Sequence, residues 1–385
     1  MSQDIRDFVP PSCALLGLGE PTHQEPAFGR VRNELFARLT DHGFRSIALE
    51  TDRVAALAVD DYVREGAGSL DVVMREGFSH GFGDLDANRR LVGWMRDHNR
   101  SRPPEERLAF HGFDAPLENF SAPSPRAFLE HARDYLGLDL DLAELTGDDT
   151  RWSRPEAVLD HTMSPGATPE AERLRLIADD MHLALYGRAP ELMAATSRED
   201  WVRARTHLTA GLGLLRYHRQ SAQPLNPGSR EACLLAARDA LMAQNLLDIR
   251  AIEEERGPTL VFTHNFHVQR NASAWRPGDP GAQWSGAGAI VAALLGDRYV
   301  CVAGSLGRSE TLGLQDPAPD TYEGRLQSRI ATWGLERATV DPSARTRTGT
   351  HPGHGYFPLD RATLGAVDAV LHISDGTTPG APAHI

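Results

Sequence analysis

Acidic and imidazole side chains follow short apolar runs repeatedly along this 385-residue chain. LGLGEPTHQEP (16–26) carries Glu20, His23 and Glu25. SIALE (46–50) ends in Glu50 and FHGFD (110–114) ends in Asp114. THNFH (263–267) carries His264, Asn265 and His267, and LHISD (371–375) carries His372 and Asp375. These side chains suit acid–base chemistry on water. An imidazole with a pKa near a working pH of about 7 takes a proton from water. A carboxylate orients that imidazole and stabilises its charged form. A second imidazole or a guanidinium stabilises a developing oxyanion. The residues alone leave open which imidazole is the base and which group holds the oxyanion.

Each residue also has a plainer reading. Glu25 before Pro26 fits the start of a helix, and we adopt that reading for it. Glu50 could simply reach solvent from a strand end, Asp114 could cap the next segment, and His267 could be a hydrogen-bonded core histidine. Together these separate explanations are less economical than one shared site. Arg32 lies four residues after Phe28 and four before Phe36, at the border of an apolar helix face. It must snorkel or pair with a carboxylate, for which Glu20 and Glu50 are the natural partners. Arg238, Met242 and Asn245 fall at i, i+4 and i+7, so two polar groups share one stripe of an apolar helix. They serve either the site or inter-helix hydrogen bonds.

The apolar runs that deliver these residues read as buried strands at 13–19, 46–50, 108–113, 259–264, 299–304 and 369–374. Helical patterns separate most of them, as at Phe28, Val31, Leu35, Phe36 and Leu39. Strands alternating with helices predict an α/β fold with a mostly parallel central sheet flanked by helices. In such a sheet all strand C-termini share one edge, where ligands bind. The alternation stops between about 116 and 228. That stretch opens with SAPSPR (121–126) and reads as mainly helical at 169–187 and 197–219. We expect a core of 1–120 and 229–385 that carries the site, and a mainly helical insertion or cap at 121–228. A long helix over 229–256 leads back to the sheet. The segment 305–358 reads as loop-rich, with one helix near 323–336.

Composition excludes several classes. The net charge of −13 argues against nucleic acid and anionic membrane surfaces. All 40 cationic side chains are arginine, which removes Schiff-base chemistry, pyridoxal-phosphate attachment and a P-loop lysine. The three cysteines, Cys13, Cys233 and Cys301, are too far apart for a disulfide framework or a zinc ribbon. MSQDIRDFVPPS lacks the basic and apolar regions of a signal peptide, and no run approaches a membrane span. A soluble, cytoplasmic protein is expected. His23, His264, His267 and Glu50 are chemically suitable zinc or iron ligands, but H-x-x-H at 264–267 is not a helical H-E-x-x-H. No metal or other cofactor is expected.

Two motifs mislead. GFSHG (77–81) matches the nucleophile-elbow pattern, but LDVVMREGF before Ser79 reads as a helix rather than a strand. AGSLG (303–307) lacks dinucleotide-binding spacing.

Taken in order, the blocks resemble the erythromycin esterase family. GEPTHQEPAFGRVRNELFARLTDHGFRSIALE (19–50) is similar to its G-E-x-x-H followed by a helix carrying F and R and then G-F-x-x-I-A-x-E. FHGFD is similar to F-x-G-x-D, RDALMAQNL (238–246) to R-D-x-x-M-x-x-N-L, and THNFHVQR (263–270) to H-N-x-H-V-x-R. A weaker match covers DAVLHI (368–373). The resemblance implies an α/β core with a helical insertion. It also implies hydrolysis of a macrolactone or other small-molecule ester by activated water, without a covalent serine intermediate. By matching position it implies His23 as base, with Glu20, Glu50, Arg32 and His264 as catalytic partners. The remaining matched or neighbouring polar residues, His267, Asn265, Asp114, Arg238, Asn245, Arg270 and His80, are expected to bind substrate. The chain departs from the family pattern at Gln24, Gln244 and Asn88-Arg89-Arg90, which leaves macrolide recognition open. The same site could instead run a cyclisation, dehydration or isomerisation of a polyketide-type intermediate. A non-enzymatic sequestering protein is the third reading, and retention of the whole acid–base set argues against it.

Overall fold

All six apolar runs are strands of one sheet. The computed structural model describes residues 2–274, 283–350 and 355–377. The strands are β1 (Leu15–Glu20), β2 (Ser46–Asp52), β3 (Ala109–Asp114), β4 (Thr259–His264), a separate two-residue pair β5 (Ser273–Ala274) and β6 (Gln283–Trp284), β7 (Tyr299–Arg308), β8 (Trp333–Arg337) and β9 (Ala369–Asp375). The seven-stranded sheet has the order β3-β2-β4-β1-β7-β9-β8. All its neighbours are parallel except β8, which runs antiparallel to β9. The central strands β1 and β4 are buried along their whole length, as expected of strands covered on both faces.

The helices are α1 (Pro26–Thr40), α2 (Ala56–Glu65), α3 (Leu70–Glu76), α4 (Asp86–Asn99), α5 (Arg126–Leu136), α6 (Ala143–Thr146), α7 (Thr150–Ser153), α8 (Pro155–Leu159), α9 (Pro169–Gly187), α10 (Ala189–Ala195), α11 (Arg198–Ser221), α12 (Pro227–Ile252), α13 (Asn265–Val268), α14 (Ala287–Leu295), α15 (Tyr322–Gln327) and α16 (Arg361–Leu364). Leu16 and Leu18 of β1 face one core layer with Phe28, Leu35 and Phe36 of α1. Leu15 faces the other, with Met242, Leu246 and Ile249 of α12. This period-two split of one strand between two cores is what a doubly covered sheet requires. Helices α5 to α11 bury their own cluster, including Trp152, Met181 and Trp201. Ion pairs tie these helices to those that flank the sheet: Arg203 meets Asp61 at 2.5 Å, and Asp248 of α12 receives both Arg53 (2.6 Å) and Arg205.

One expected element differs. The helix near 323–336 stops at Gln327, and Trp333–Arg337 is the edge strand β8. Trp333, Gly334 and Leu335 are buried and Arg337 is exposed, so it is the antiparallel ladder with β9, not a period-two burial pattern, that makes this segment a strand. Residues 351–354 of the loop-rich stretch lie outside the described residues. No described helix is long and apolar enough to cross a membrane.

Candidate active site

The sheet register brings the strand-end residues together. Glu20 of β1 pairs with His264 of β4. The β2 ladder shifts register between Leu49 and Asp52, a bulge that re-aims Glu50. Gly19 has no Cβ for a packing reason: one there would overlap the Asn265 amide and Val268 of α13. The carboxylate of Glu25 caps the N-terminus of α1 by accepting from the Ala27 amide at 3.2 Å, with Pro26 at the first helical position.

Glu50 is the hub. Its Oε1 accepts from Arg238 Nη2 at 2.9 Å and lies 3.6 Å from His267 Nε2. Its Oε2 accepts from the His264 backbone amide at 3.1 Å and from the Thr263 hydroxyl, and lies 3.6 Å from His23 Nε2. Each imidazole is pinned on its far side by a second carboxylate. His23 Nδ1 donates to Glu20 at 2.7 Å, and His267 Nδ1 donates to Asp239 at 2.7 Å. Glu20, His23, Glu50, His267 and Asp239 therefore form a continuous chain of alternating acid and imidazole. Arg238 and His80 close the side of the site, with Asp114 accepting from Arg238 Nε at 3.1 Å and facing His80 Nε2 at 3.0 Å. His80 adopts φ 58°, a left-handed backbone rare for a non-glycine residue. The Glu118 carboxylate holds its amide at 3.1 Å.

The electrostatics separate His23 from the buried His264 beside it. Burial pushes the His23 pKa down, but Glu50 and then Glu20 outweigh it and raise it to about 9. The expected value near 7 is corrected accordingly: two carboxylates hold the proton on His23 at neutral pH. Burial pushes Glu50 up, yet His23, His267 and Arg238 bring it well below the usual carboxylate range. Burial lowers His264 to about 3, reinforced by the nearby cations. Its Nδ1 accepts from the Phe266 amide at 3.2 Å, so the neutral ring carries its proton on Nε2. That Nε2 has no well-formed hydrogen bond, although the Pro21 carbonyl slightly favours the charged form. The His23 and His264 ring centres are 5.4 Å apart, and Phe82 packs 5.1 Å from His23.

Other expected residues have different jobs. Arg32 is buried but meets no carboxylate directly. Asn33 and Asn88 accept from it at 2.7 to 3.0 Å, and its guanidinium lies 4.8 Å from the Phe262 ring centre. Burial lowers its pKa to about 10, and Glu20 acts on it only through space. Asn265 spends both ends of its amide on Gly304 of β7. Asn245 donates to the Phe113 carbonyl at 3.0 Å and fixes the end of β3. Arg270 was expected to bind substrate, but it reaches the Tyr299 carbonyl at 2.8 Å and Asp368 at 2.6 Å. Tyr299 begins β7, so Arg270 serves the opposite edge of the sheet. His372 sits between Ser305 and Gln327, and Asp375 pairs with Arg308, outside the constellation. The Ser79 hydroxyl accepts from the Asp52 amide at 3.0 Å and contacts Thr51, with no elbow around it. Among the described residues no three His, Cys, Asp or Glu side chains are arranged to hold a metal ion.

The sequence reading missed Asp239, Thr263 and Phe82. Asp239 directly follows Arg238 and is fully buried, accepting also from Trp284 Nε1 at 2.6 Å and the Ala287 amide at 2.7 Å. The available signal was an acid in the middle of a largely apolar helix.

A pocket of about 300 Å³ opens at His23, lined also by Glu20, Arg32, Glu50 and Phe82. The erythromycin esterase family profile matches residues 39–375. The chain belongs to the erythromycin esterase family. Its match begins inside α1, so Glu20, His23 and Arg32 precede it, whereas Glu50, Asp114, Arg238, Asp239, His264 and His267 fall within. Family membership supports a hydrolase. Three solved structures share the fold, each 18% identical. A Bacillus cereus protein superposes with a TM-score of 0.70 over 96% of this chain and 90% of its own. A succinoglycan biosynthesis protein gives 0.67 over 95% and 88%. A histidine-to-asparagine mutant of the erythromycin esterase EreC, in its open conformation, gives 0.67 over 97% and 93%. No curated protein matches the chain.

Proposed function

We propose that this member of the erythromycin esterase family cleaves a lactone or other ester by His23-activated water. The observation that carries this reading is the placement of His23: a one-third-exposed imidazole held between Glu20 and Glu50 and beside a neutral His264. Water at the His23 ring loses its proton to Nε2 as it attacks the ester carbonyl. The carbonyl oxygen gains negative charge, and His264, with its ring centre 5.4 Å from that of His23, is the neutral donor proposed to receive it, although its Nε2 is buried in this structure. Glu50 and Glu20 stabilise the resulting imidazolium, which then protonates the leaving alkoxide. Arg238 and His80 are the polar groups proposed to fix the substrate beside Glu50. Arg32 supports Glu20 electrostatically, without contact with the reacting atoms.

One observation favours a second reading. With a pKa of about 9, only ~1% of His23 is free base at pH 7, so the resting group is an acid. An imidazolium in this position suits cyclisation or dehydration of a biosynthetic intermediate. Turnover in ¹⁸O-water separates the two. Hydrolysis places the label in the carboxylic acid product, and a product free of label would sink the hydrolytic reading.

A further inference from the structure

The segment SHGF (79–82) reaches the site on an unfavourable backbone. Among the described residues His80 is the one non-glycine with positive φ, 58°, and Gly81 follows at 70°. A left-handed residue that carries a Cβ is strained, and it persists only where its surroundings over-determine it. The Ser79 amide donates to the Thr51 hydroxyl at 2.8 Å, and the Ser79 hydroxyl accepts from the Asp52 amide at 3.0 Å. Those two bonds tie the turn to the end of β2, just past Glu50. Beyond the turn, Asn88 donates to the Phe82 carbonyl at 2.9 Å. The strained residue itself is held by Glu118. Both oxygens of that carboxylate accept from the His80 amide, at 3.1 and 3.2 Å, and Oε2 lies 3.3 Å from His80 Nδ1. Glu118 belongs to the loop after β3, where its backbone pairs with Ser121, and its side chain is 55% exposed.

What the turn delivers is Phe82. Its ring centre lies 5.6 Å from that of His80 and 5.1 Å from that of His23, and it lines the His23 pocket. An apolar wall on that side keeps water from the imidazole and strengthens its attraction to Glu50. A half-exposed carboxylate contributes little to global stability, so its double hold on one strained amide points to placement of the turn. We infer that Glu118 is a positioning residue for His23: it locks the left-handed turn at His80, and the turn sets the Phe82 ring against the imidazole. Without Glu118 the His80 backbone relaxes toward negative φ, and the chain enters Phe82 from a different direction. The inference rests on the reading of His23 as the working base, and it gives a role to a loop residue that touches no reacting atom.

The test measures kcat and KM for p-nitrophenyl acetate on the full-length protein. Glu118→Ala should lower kcat by about tenfold, with KM and Tm unchanged, because small misplacements beside a reacting group are costly. Glu118→Gln keeps an acceptor for the His80 amide and should retain most of the wild-type rate. Phe82→Ala should lower kcat by a similar factor. Since Glu118 acts through Phe82, the double variant should be no slower than Phe82→Ala alone. Losses that multiply, or a wild-type kcat in Glu118→Ala, overturn the inference. If the wild type does not cleave the ester, the hydrolase reading fails, and the turn is judged by the His23 titration in ¹⁵N-histidine NMR. Glu118→Ala and Phe82→Ala should then shift that titration alike, and the double variant no further than Phe82→Ala. An unmoved His23 titration in Glu118→Ala overturns the inference there as well.

Discussion

Two glutamates flank the His23 ring, and their combined field sets the pH at which it can accept a proton. If His23 is the base, kcat/KM rises with pH through an acid limb near 9. Glu50 is the largest influence holding the proton on, so Glu50→Gln should move that limb toward neutral pH while lowering the maximal rate. A limb that stays in place would remove Glu50 from the relay. His23→Ala should lower kcat by about 10²–10³-fold or more with the fold intact. Normal turnover by a variant of unchanged stability would end the assignment. The same shift bears on stability. The folded pKa lies above the ordinary 6.5, so this contribution is full below pH 6.5 and is lost as pH rises through about 9. The urea midpoint should fall over that interval, and less steeply in His23→Ala.

At the scale of elements, α12 presents Arg238 and Asp239 to the site on successive residues. Arg238 neutralises Glu50 and Asp114 directly, whereas Asp239 acts through His267. Asp239→Asn removes the charge that favours the His267 cation. Glu50 is then less compensated and holds the proton on His23 more tightly. The acid limb should move up, opposite to the shift from Glu50→Gln. A merely structural Asp239, which also anchors Trp284 and α14, would lower Tm and leave the limb alone. The pH profile therefore separates the two roles. On β1, Gly19→Ala would push Asn265 and Val268 away from the strand, at a cost of about 1–3 kcal/mol in stability.

At the scale of the molecule, the helices α5–α11 and those that flank the sheet meet at Asp248, which serves buried Arg53 from one side and Arg205 from the other. Asp248→Ala leaves both cations unpaired. It should cost about 1–3 kcal/mol, between the values for exposed and buried pairs, read from denaturant unfolding. Much of this architecture was legible because strands buried on both faces become unbroken apolar runs. β8 was not, because an edge strand of five residues, Trp333–Arg337, carries too little alternation to outweigh nearby helical spacing. Glu20, His23, Glu50 and His264 were legible as strand-end residues. The role of Asp239 was hidden because a buried acid in a helix has the same letter as an exposed one. Arg32 was expected to find a carboxylate, but its partners are the uncharged amides of the adjacent Asn33 and of Asn88, which is remote in sequence. The His23 pKa was beyond reach because it depends on the approach of Glu50.

That approach depends on the bulge in β2. A regular strand would be the easier one to build, and β2 pairs in register with β3 from Ser46 to Leu49, up to the residue before Glu50. Deleting a residue there should restore continuous pairing and misdirect the one carboxylate that both imidazoles share. The chain thus keeps its most useful side chain at its least ideal stretch of backbone. Selection for thermal robustness alone would be expected to smooth β2 first, and the first property lost would be turnover.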